Sequence, residues 1–471
     1  MSLTIFILLT INFALLCTMF YLQRKFPHTY VMWTIIITCF PLTGFIAYLF
    51  MGQGCRFITA RKCRRKQAED STYIDFYNQD SNFYSNYKLP ANVPTLAKYN
   101  YNHGKSPYTT KNKIDTFVDN DTFFTKLLAD IDKAEDSIRL EIYTFRNDEF
   151  GNKMRDILIA KAKSGVEVSI LYDTLGSRKS SKMFFNALTL AGATIRRFNR
   201  NHFKLLCYSN AYRNRRNMFI LDGKISYVGS AQISANSRNL NNKTKPWHDS
   251  VIRFEGEAVN YCTTRFYQDF NFANGKYHKL HLQPVDDTIT ASCPMQIAFD
   301  GPDVADYGIN EAIIKAIHEA KERINIAITT YMPSKSLANA IRTAIKSGIE
   351  VNILVGKPIN KFKYNMSMTN LTRLVGLGAK VYVYEGTIHD KLVLIDNFVG
   401  CVGNVDFDCN AMINNFNVCA FVYDVETNKQ LIDNFNNLLA NSTALGKDYL
   451  QTMSGWKRFW LKVAKCFNPT I

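Results

Sequence analysis

The sequence predicts an α/β protein built from two related halves and preceded by a hairpin of two transmembrane helices. Three observations predict it: two uncharged apolar stretches near the N-terminus, a nonapeptide that occurs twice, and the same order of helix-like and strand-like segments around each copy. The nonapeptide reads Lys163-Ser-Gly-Val-Glu-Val-Ser-Ile-Leu171 in the first half and Lys346-Ser-Gly-Ile-Glu-Val-Asn-Ile-Leu354 in the second. That spacing is too long for a solenoid and marks a duplicated domain.

At the N-terminus, Leu3 to Leu22 and Tyr30 to Phe50 carry no charged side chain. Each is close to the ~20 residues that cross a hydrocarbon core as helix. The first lacks the basic start and small-residue exit of a cleaved signal peptide, so both are read as retained spans. Arg24 and Lys25 lie between them, whereas Arg56, Arg61, Lys62, Arg64, Arg65 and Lys66 follow the second. The heavier basic side belongs in the cytoplasm, which puts both ends of the hairpin inside, and Pro41 predicts a kink.

The hairpin and its basic flank occupy residues 1–66. Residues 67–113, with Tyr73, Tyr77, Tyr84 and Tyr87 among polar residues and prolines, read as a linker. The first half spans 114–285. It opens with the helical pattern Phe124 to Asp136, then the apolar run Ile138 to Phe145, a further helix and the strand Val168 to Tyr172. The second half, 286–446, repeats this with Ile309 to Glu322, Ile324 to Tyr331 and Val351 to Val355. Such alternation implies layered sheets, mixed or parallel and largely buried. A basic aromatic segment closes the chain at 447–471, where Trp456, Phe459, Trp460, Val463 and Phe467 recur at helical spacing suited equally to an anionic membrane surface or to packing into the domain.

Composition narrows the chemistry. With 57 Lys and Arg against 40 Asp and Glu the net charge is +17, which points to anionic partners. The 11 cysteines form no C-x-x-C pair and the eight histidines no H-x-x-x-H pair, so neither a disulfide framework, a zinc site nor any other metal or cofactor is expected. The repeat itself supplies the candidate site. Arg215-Arg-Asn-Met-Phe-Ile-Leu-Asp-Gly223 aligns with His389-Asp-Lys-Leu-Val-Leu-Ile-Asp-Asn397, and both run on to a Val-Gly pair ending at Gly229 and Gly403. The second copy reads H-x-K-x-x-x-x-D. Strand alternation places His389 and Lys391 on one face, where an imidazole and an ammonium can converge on one phosphate, with Asp396 beyond the apolar run.

These residues resemble the phospholipase D superfamily, and more closely the bacterial cardiolipin synthases, over essentially the whole chain. Phe40-Pro-Leu-Thr-Gly-Phe-Ile-Ala-Tyr-Leu49, Leu140-Glu-Ile-Tyr-Thr-Phe-Arg146, Leu171-Tyr-Asp-Thr-Leu-Gly-Ser-Arg-Lys179, Pro246-Trp-His-Asp249, Gly301-Pro-Asp303 and the His389 motif match in order. The resemblance implies two tandem phospholipase D-like α/β/α halves with pseudo-twofold symmetry, meeting at two H-x-K-x-x-x-x-D motifs. It implies that one histidine attacks the phosphodiester of phosphatidylglycerol, the other protonates the leaving glycerol, and lysines neutralise the phosphoryl oxygens. A second phosphatidylglycerol then releases cardiolipin.

This sequence departs from that pattern. Arg215 stands at the first histidine position and Asn217 at the lysine position, leaving Asp222 of the first motif. Guanidinium clamps phosphate but does not cycle protons near neutral pH. A downstream carboxylate usually orients each histidine of the family, and the aligned positions are Asp249 in the first half and Asn417 in the second. Read half by half, the half with the histidine has only an amide beside it, and the half with the carboxylate has no histidine to orient. Gly229-Ser-Ala-Gln232 replaces the usual Gly-Gly-x-Asn, and Asp406 and Asn410 replace an asparagine and an arginine. His202-Phe-Lys204 lacks a following aspartate and is read as a decoy, and alternation turns His248 away from Asp249.

The expectation is therefore a multi-pass protein of the bacterial plasma membrane with its catalytic domain in the cytoplasm. It acts as a cardiolipin synthase-like phosphatidyltransferase on anionic phospholipids, with His389, Lys391 and Asp396 catalytic and no nucleic acid partner. The alternative is a catalytically lapsed homologue that binds anionic lipid or regulates an active synthase paralogue.

Overall fold

A computed structural model of the chain describes residues 3–23, 30–51, 94–104, 106–198, 213–240, 246–274, 278, 280–301, 308–357, 361–408, 411–412, 415–456, 458 and 461. The basic flank at 56–66, His202 and Lys204, Pro302 and Asp303, Asn410 and most of the aromatic positions after Trp456 lie outside the described residues.

The N-terminal segments form helices over Leu3–Gln23, Tyr30–Cys39 and Pro41–Met51. The break falls at Phe40, because proline has no N–H to continue the first of the pair and is well placed to begin the second. Met19, Trp33, Ile37 and Tyr48 pack between these helices, with the Trp33 and Tyr48 rings edge to face at 5.4 Å. Among the described residues, no helix is long and apolar enough to cross a membrane, so the expected two-span hairpin is not shown.

The first half is a seven-stranded mixed sheet. Its strands are β1 (Asn112–Thr116), β2 (Ser137–Ile142), β3 (Glu167–Asp173), β4 (Thr194–Phe198), β5 (Met218–Leu221), β6 (Ile225–Gly229) and, after the short β7 (Trp247–His248), β8 (Val251–Gly256). They lie in the order β1-β8-β6-β5-β2-β3-β4. The second half contributes β9 (Met295–Asp300), β10 (Arg323–Ile328), β11 (Tyr331–Met332), β12 (Glu350–Val355), β13 (Lys380–Tyr384), β14 (Thr387–Ile388), β15 (Lys391–Ile395), β16 (Val399–Gly403), β17 (Phe407–Asp408), β18 (Asn417–Val422) and β19 (Ser442–Ala444). Its main sheet runs β19-β13-β12-β10-β15-β16-β18-β9, the same order read backwards with β19 added at one edge. Parallel pairing of β2 with β3 and of β10 with β12 follows from the helical crossovers Glu149–Lys163 and Lys335–Lys346, which are capped by Asp148 and Ser334.

The two sheets share a core. Met218, Ile220, Ile252 and Phe254 of the first meet Ile297, Leu392, Leu394 and Val418 of the second, and the helix Glu257–Asn274 adds Phe266 and Phe270. The outer faces carry separate cores under their own helices. A wholly buried guanidinium seals the seam: Arg216 pairs with Asp269 at 2.5 Å and donates to the carbonyls of Asn417 and Asp300 at 3.2 and 3.0 Å. Its charge is tolerated there because each donor direction is answered.

The expected linker is structured at its end. Thr95–Gly104 is a helix whose Leu96 and Ala97 are fully buried, Leu96 in the outer core of the second half. Its polar composition hides this, because few apolar positions anchor it.

Candidate active site

The site forms where the starts of the two motif strands, β5 and β15, come together at the edge of the shared core. Gly229 and Gly403 close β6 and β16 beneath it, and a Cβ at either would strike the backbone carbonyl of Ser250 or Val418 on the neighbouring strand. Their recurrence in both halves is thus a packing requirement.

Short crossed pairings then carry the chain from one half against the other. β7 of the first half runs parallel to β14 of the second, and the His389 amide donates to the His248 carbonyl at 2.9 Å. The mirror arrangement joins Asn214 to Phe416, with the Arg215 amide donating to the Phe416 carbonyl at 3.0 Å. His389 is thereby set beside Asp249, the residue after His248. Arg215 is likewise registered against the residue before Asn417.

The consequence is a His389 Nδ1 to Asp249 Oδ1 bond of 2.6 Å across the halves. Asp249 is buried and also accepts from Ser237 Oγ at 2.6 Å, Asn120 Nδ2 at 2.8 Å, Trp247 Nε1 at 2.9 Å and Ser230 Oγ at 3.1 Å. Burial pushes its carboxyl up, but the His389 imidazole and these donors outweigh it and hold the pKa at about 2. The half-by-half reading of the sequence is corrected here: the histidine and the orienting carboxylate belong to one pseudo-site. Asn417 sits on the Arg215 side, its amide donating to the carbonyls of Ala411 and Asn415 at 3.3 Å and its Oδ1 buried with no partner among the described residues.

The cationic residues are tied together by a group the motif reasoning passed over. Lys391 Nζ lies 3.0 Å from Asp406 Oδ1 and donates to Thr329 Oγ1 at 2.5 Å and to the His389 carbonyl at 2.9 Å. Arg215 meets the other oxygen of Asp406 at 2.5 Å and lies over the Tyr143 ring. Burial favours the neutral Asp406, yet the charges of Lys391 and Arg215 outweigh it and hold its carboxyl below the usual carboxylate range. Asn217, lacking an ammonium, accepts from the Tyr143 amide at 3.0 Å and donates toward the Ser230 carbonyl at 3.4 Å. The Gln232 carboxamide stands 3.4 Å from His389 Nε2. In the alignment Gln232 and Asp406 are equivalent, and each reaches the opposite half.

The two motif aspartates stand elsewhere. Asp396 adopts φ 49° and Asp222 φ 52°, at the far ends of β15 and β5. Asp396 accepts the amides of Lys321, Glu322 and Arg323 at 2.9, 2.9 and 2.7 Å, and Asp222 those of Glu135, Asp136 and Ser137 at 3.0, 2.8 and 2.8 Å. These carboxylates cap the start of β10 and β2, a scaffold task away from His389, in place of the catalytic task expected of Asp396. His248 points away, as alternation requires: its Nδ1 meets Asp390 at 2.8 Å.

Above these groups opens a cleft of about 480 Å³ lined by residues that include His389, Arg215, Gln232, Trp247, Tyr143 and Tyr364. Chemically it offers an imidazole oriented by a carboxylate, the cations Arg146, Arg178, Lys179, Arg215 and Lys363, and a hydroxyl-rich wall. Residues 127–267 and 313–439 match the family described as cardiolipin synthase, PLD-like domain. The chain is 33% identical to the major cardiolipin synthase ClsA of Bacillus subtilis (strain 168), over 100% of this chain and 98% of that one. The chain belongs to the cardiolipin synthase family. It is also 30% identical to a cardiolipin synthase of Oceanobacillus iheyensis, over 100% of this chain and 99% of that protein. Its fold resembles the phosphatidylserine synthase of Haemophilus influenzae Rd KW20, with a TM-score of 0.62 and 14% identity over 80% of this chain and 100% of that one.

As a member of the cardiolipin synthase family, the chain brings His389, Lys391, Arg215, Asn217 and Asp249 to one place, and turns Asp222 and Asp396 to scaffold duty. Asp406 and Gln232 are the site residues that sequence reasoning saw only as departures. Each stands three residues past the glycine of its Val-Gly pair, and that shared place was the available signal.

Proposed function

We propose that the chain is a phosphatidyltransferase that converts two phosphatidylglycerols to cardiolipin and glycerol. The observation that carries this is the His389–Asp249 pair beside a cleft lined by His389, Arg215 and Asp406, with Lys391 beneath it on Asp406. Asp249 holds the proton on Nδ1, so the Nε2 lone pair faces the cleft and attacks phosphorus. The N–P bond forms as the P–O bond to glycerol breaks, and Asp249 stabilises the imidazolium. Arg215, always charged, stabilises the departing oxygen, whose proton comes from water in the cleft. The hydroxyl oxygen of a second phosphatidylglycerol then displaces the imidazole from phosphorus, and its proton returns to the hydroxide left by that water. Lys391 and Arg215 offset the phosphoryl charge in both steps.

The substrates put the site at a bilayer, and the N-terminal helices are the attachment. Leu3–Gln23 contains no charge, and Phe6, Phe13, Tyr21, Phe40 and Leu42 present exposed apolar side chains that lipid would cover. A bacterial plasma-membrane location with the basic domain facing anionic cytoplasmic lipid follows.

Lipids extracted from cardiolipin-deficient bacterial cells expressing the chain test this. Cardiolipin with the unaltered chain and none with His389→Ala is expected. No cardiolipin from well-expressed protein overturns the reading, and cardiolipin appearing only beside an active synthase would assign a partner role. Removal of residues 1–51 is expected to move the chain from the membrane to the soluble fraction.

A further inference from the structure

The cations of the cleft fall into two groups. Lys391 and Arg215 at its base share Asp406, and the imidazolium formed in transfer is matched by Asp249, so these groups together leave +1, which matches one phosphodiester. Arg146, Arg178 and Lys179 line the same cleft and make no ion pair among the described residues. All three come from the first half. On the second-half side the lining cation is matched by an acid: Lys363 pairs with Asp408 at 2.7 Å.

The unmatched group is held on a fixed frame. Ser177 Oγ donates to the Tyr143 carbonyl at 3.2 Å and accepts from the Phe145 amide at 3.0 Å, and Ser180 Oγ donates to the Phe145 carbonyl at 2.6 Å. Asp173 accepts the amides of Leu175 and Gly176 at 2.8 and 3.1 Å. Gly176 lies so close to the Tyr143 carbonyl that a Cβ would strike it. The loop carrying Arg178 and Lys179 is thus pinned against the strand end carrying Arg146, so three positive charges border the cleft without folding back onto acids.

We propose that Arg146, Arg178 and Lys179 form a second phosphate subsite, which takes the phosphodiester of the acceptor lipid while the base of the cleft holds the phosphoryl group in transfer. This rests on the proposed transfer between two phosphatidylglycerols. The product carries two phosphodiesters one glycerol apart, and a base with a net charge of +1 balances only one of them. The outer subsite therefore selects an acceptor that is itself a phosphodiester over glycerol or water.

Two measurements on the full chain in detergent test it. With labelled phosphatidylglycerol, Arg178→Glu combined with Lys179→Glu is expected to lower cardiolipin formation about tenfold or more. Exchange of labelled glycerol into phosphatidylglycerol, whose acceptor has no phosphate, stays within about twofold. Equal loss of both reactions, or loss of neither, overturns the subsite. Binding is read separately by calorimetry on the same proteins with glycerol 1,3-bisphosphate, glycerol 1-phosphate and inorganic phosphate. The unaltered chain is expected to prefer the bisphosphate about tenfold, and the double variant to lose that preference. Inorganic phosphate binding as tightly as the bisphosphate overturns the assignment to an acceptor headgroup and leaves a plain anion site. A chain that turns over neither lipid yet keeps the bisphosphate preference retains the subsite and refutes the transfer reading.

Discussion

The crossing of Asp249 to His389 can be tested by comparing two substitutions at equivalent places in the two halves. Asp249→Asn keeps the size and one acceptor of the side chain but removes the charge that faces the imidazole at 2.6 Å. The carboxyl is held at about 2 against its ordinary 3.8, so its charged form is stabilised by about 2 kcal/mol net of burial. If the imidazolium that develops during phosphoryl transfer depends on that charge, turnover falls by about thirtyfold. Asn417→Asp changes the equivalent residue on the Arg215 side and has no imidazole to act on, so turnover is expected to stay within about threefold. The assay is initial cardiolipin formation from phosphatidylglycerol in detergent micelles, with both variants checked for equal expression and thermal stability. Full activity in Asp249→Asn while His389→Ala remains dead would refute the crossed orientation. So would an equal loss in Asn417→Asp.

Four further outcomes follow from the same geometry. Asp406→Asn removes the acid shared by Lys391 and Arg215 and is expected to tighten inhibition by orthovanadate by about tenfold, read as a shift in the concentration for half inhibition; unchanged inhibition counts against the shared-acid arrangement. Asp396→Ala and Asp222→Ala each free three backbone amides and leave alanine at a positive φ, so each is expected to cost about 2 kcal/mol or more in denaturant unfolding, with turnover of the folded fraction retained. His248 is buried, which by itself lowers its pKa, but Asp390 outweighs this and raises it to about 9. Its stabilisation, about 3 kcal/mol, is fully present below pH 6.5 and is lost as pH rises through 9, so the melting temperature should fall over that window and His248→Gln should flatten the profile. Arg216→Met leaves buried Asp269 with Arg265 alone and frees the carbonyls of Asn417 and Asp300, and is expected to cost about 2 kcal/mol or more, read as a lowered unfolding midpoint; an unchanged midpoint removes Arg216 as the seam's tie.

Much of this was legible along the chain because duplication supplies its own ruler. The repeated nonapeptide fixed the equivalence of the halves, and the observed β2, β3, β10 and β12 lie on the predicted runs to within a few residues. His389 and Lys391 fall together because a pleated strand repeats every two residues. Asp396 misled for the same reason: five residues beyond Lys391 along an extended strand is roughly 16 Å, too far to share a phosphate. The crossed partner of His389 was not legible, since a carboxylate 140 positions away is chosen by the parallel contact of β7 with β14, a pairing of two short strands with no period of their own. Asp406 was visible only as a departure, because its meaning depends on Arg215, whose position it reaches from the other sheet.

The seam also sets when the chain becomes reactive during synthesis. A ribosome that has delivered the whole first sheet has made Asp249 and its four other donors, yet no imidazole for them to orient. That imidazole emerges 140 residues later, and it reaches Asp249 only once β14 has docked beside β7. Any fragment ending before Thr387 lacks that imidazole, so the chain becomes competent for transfer only after both halves have closed on one another.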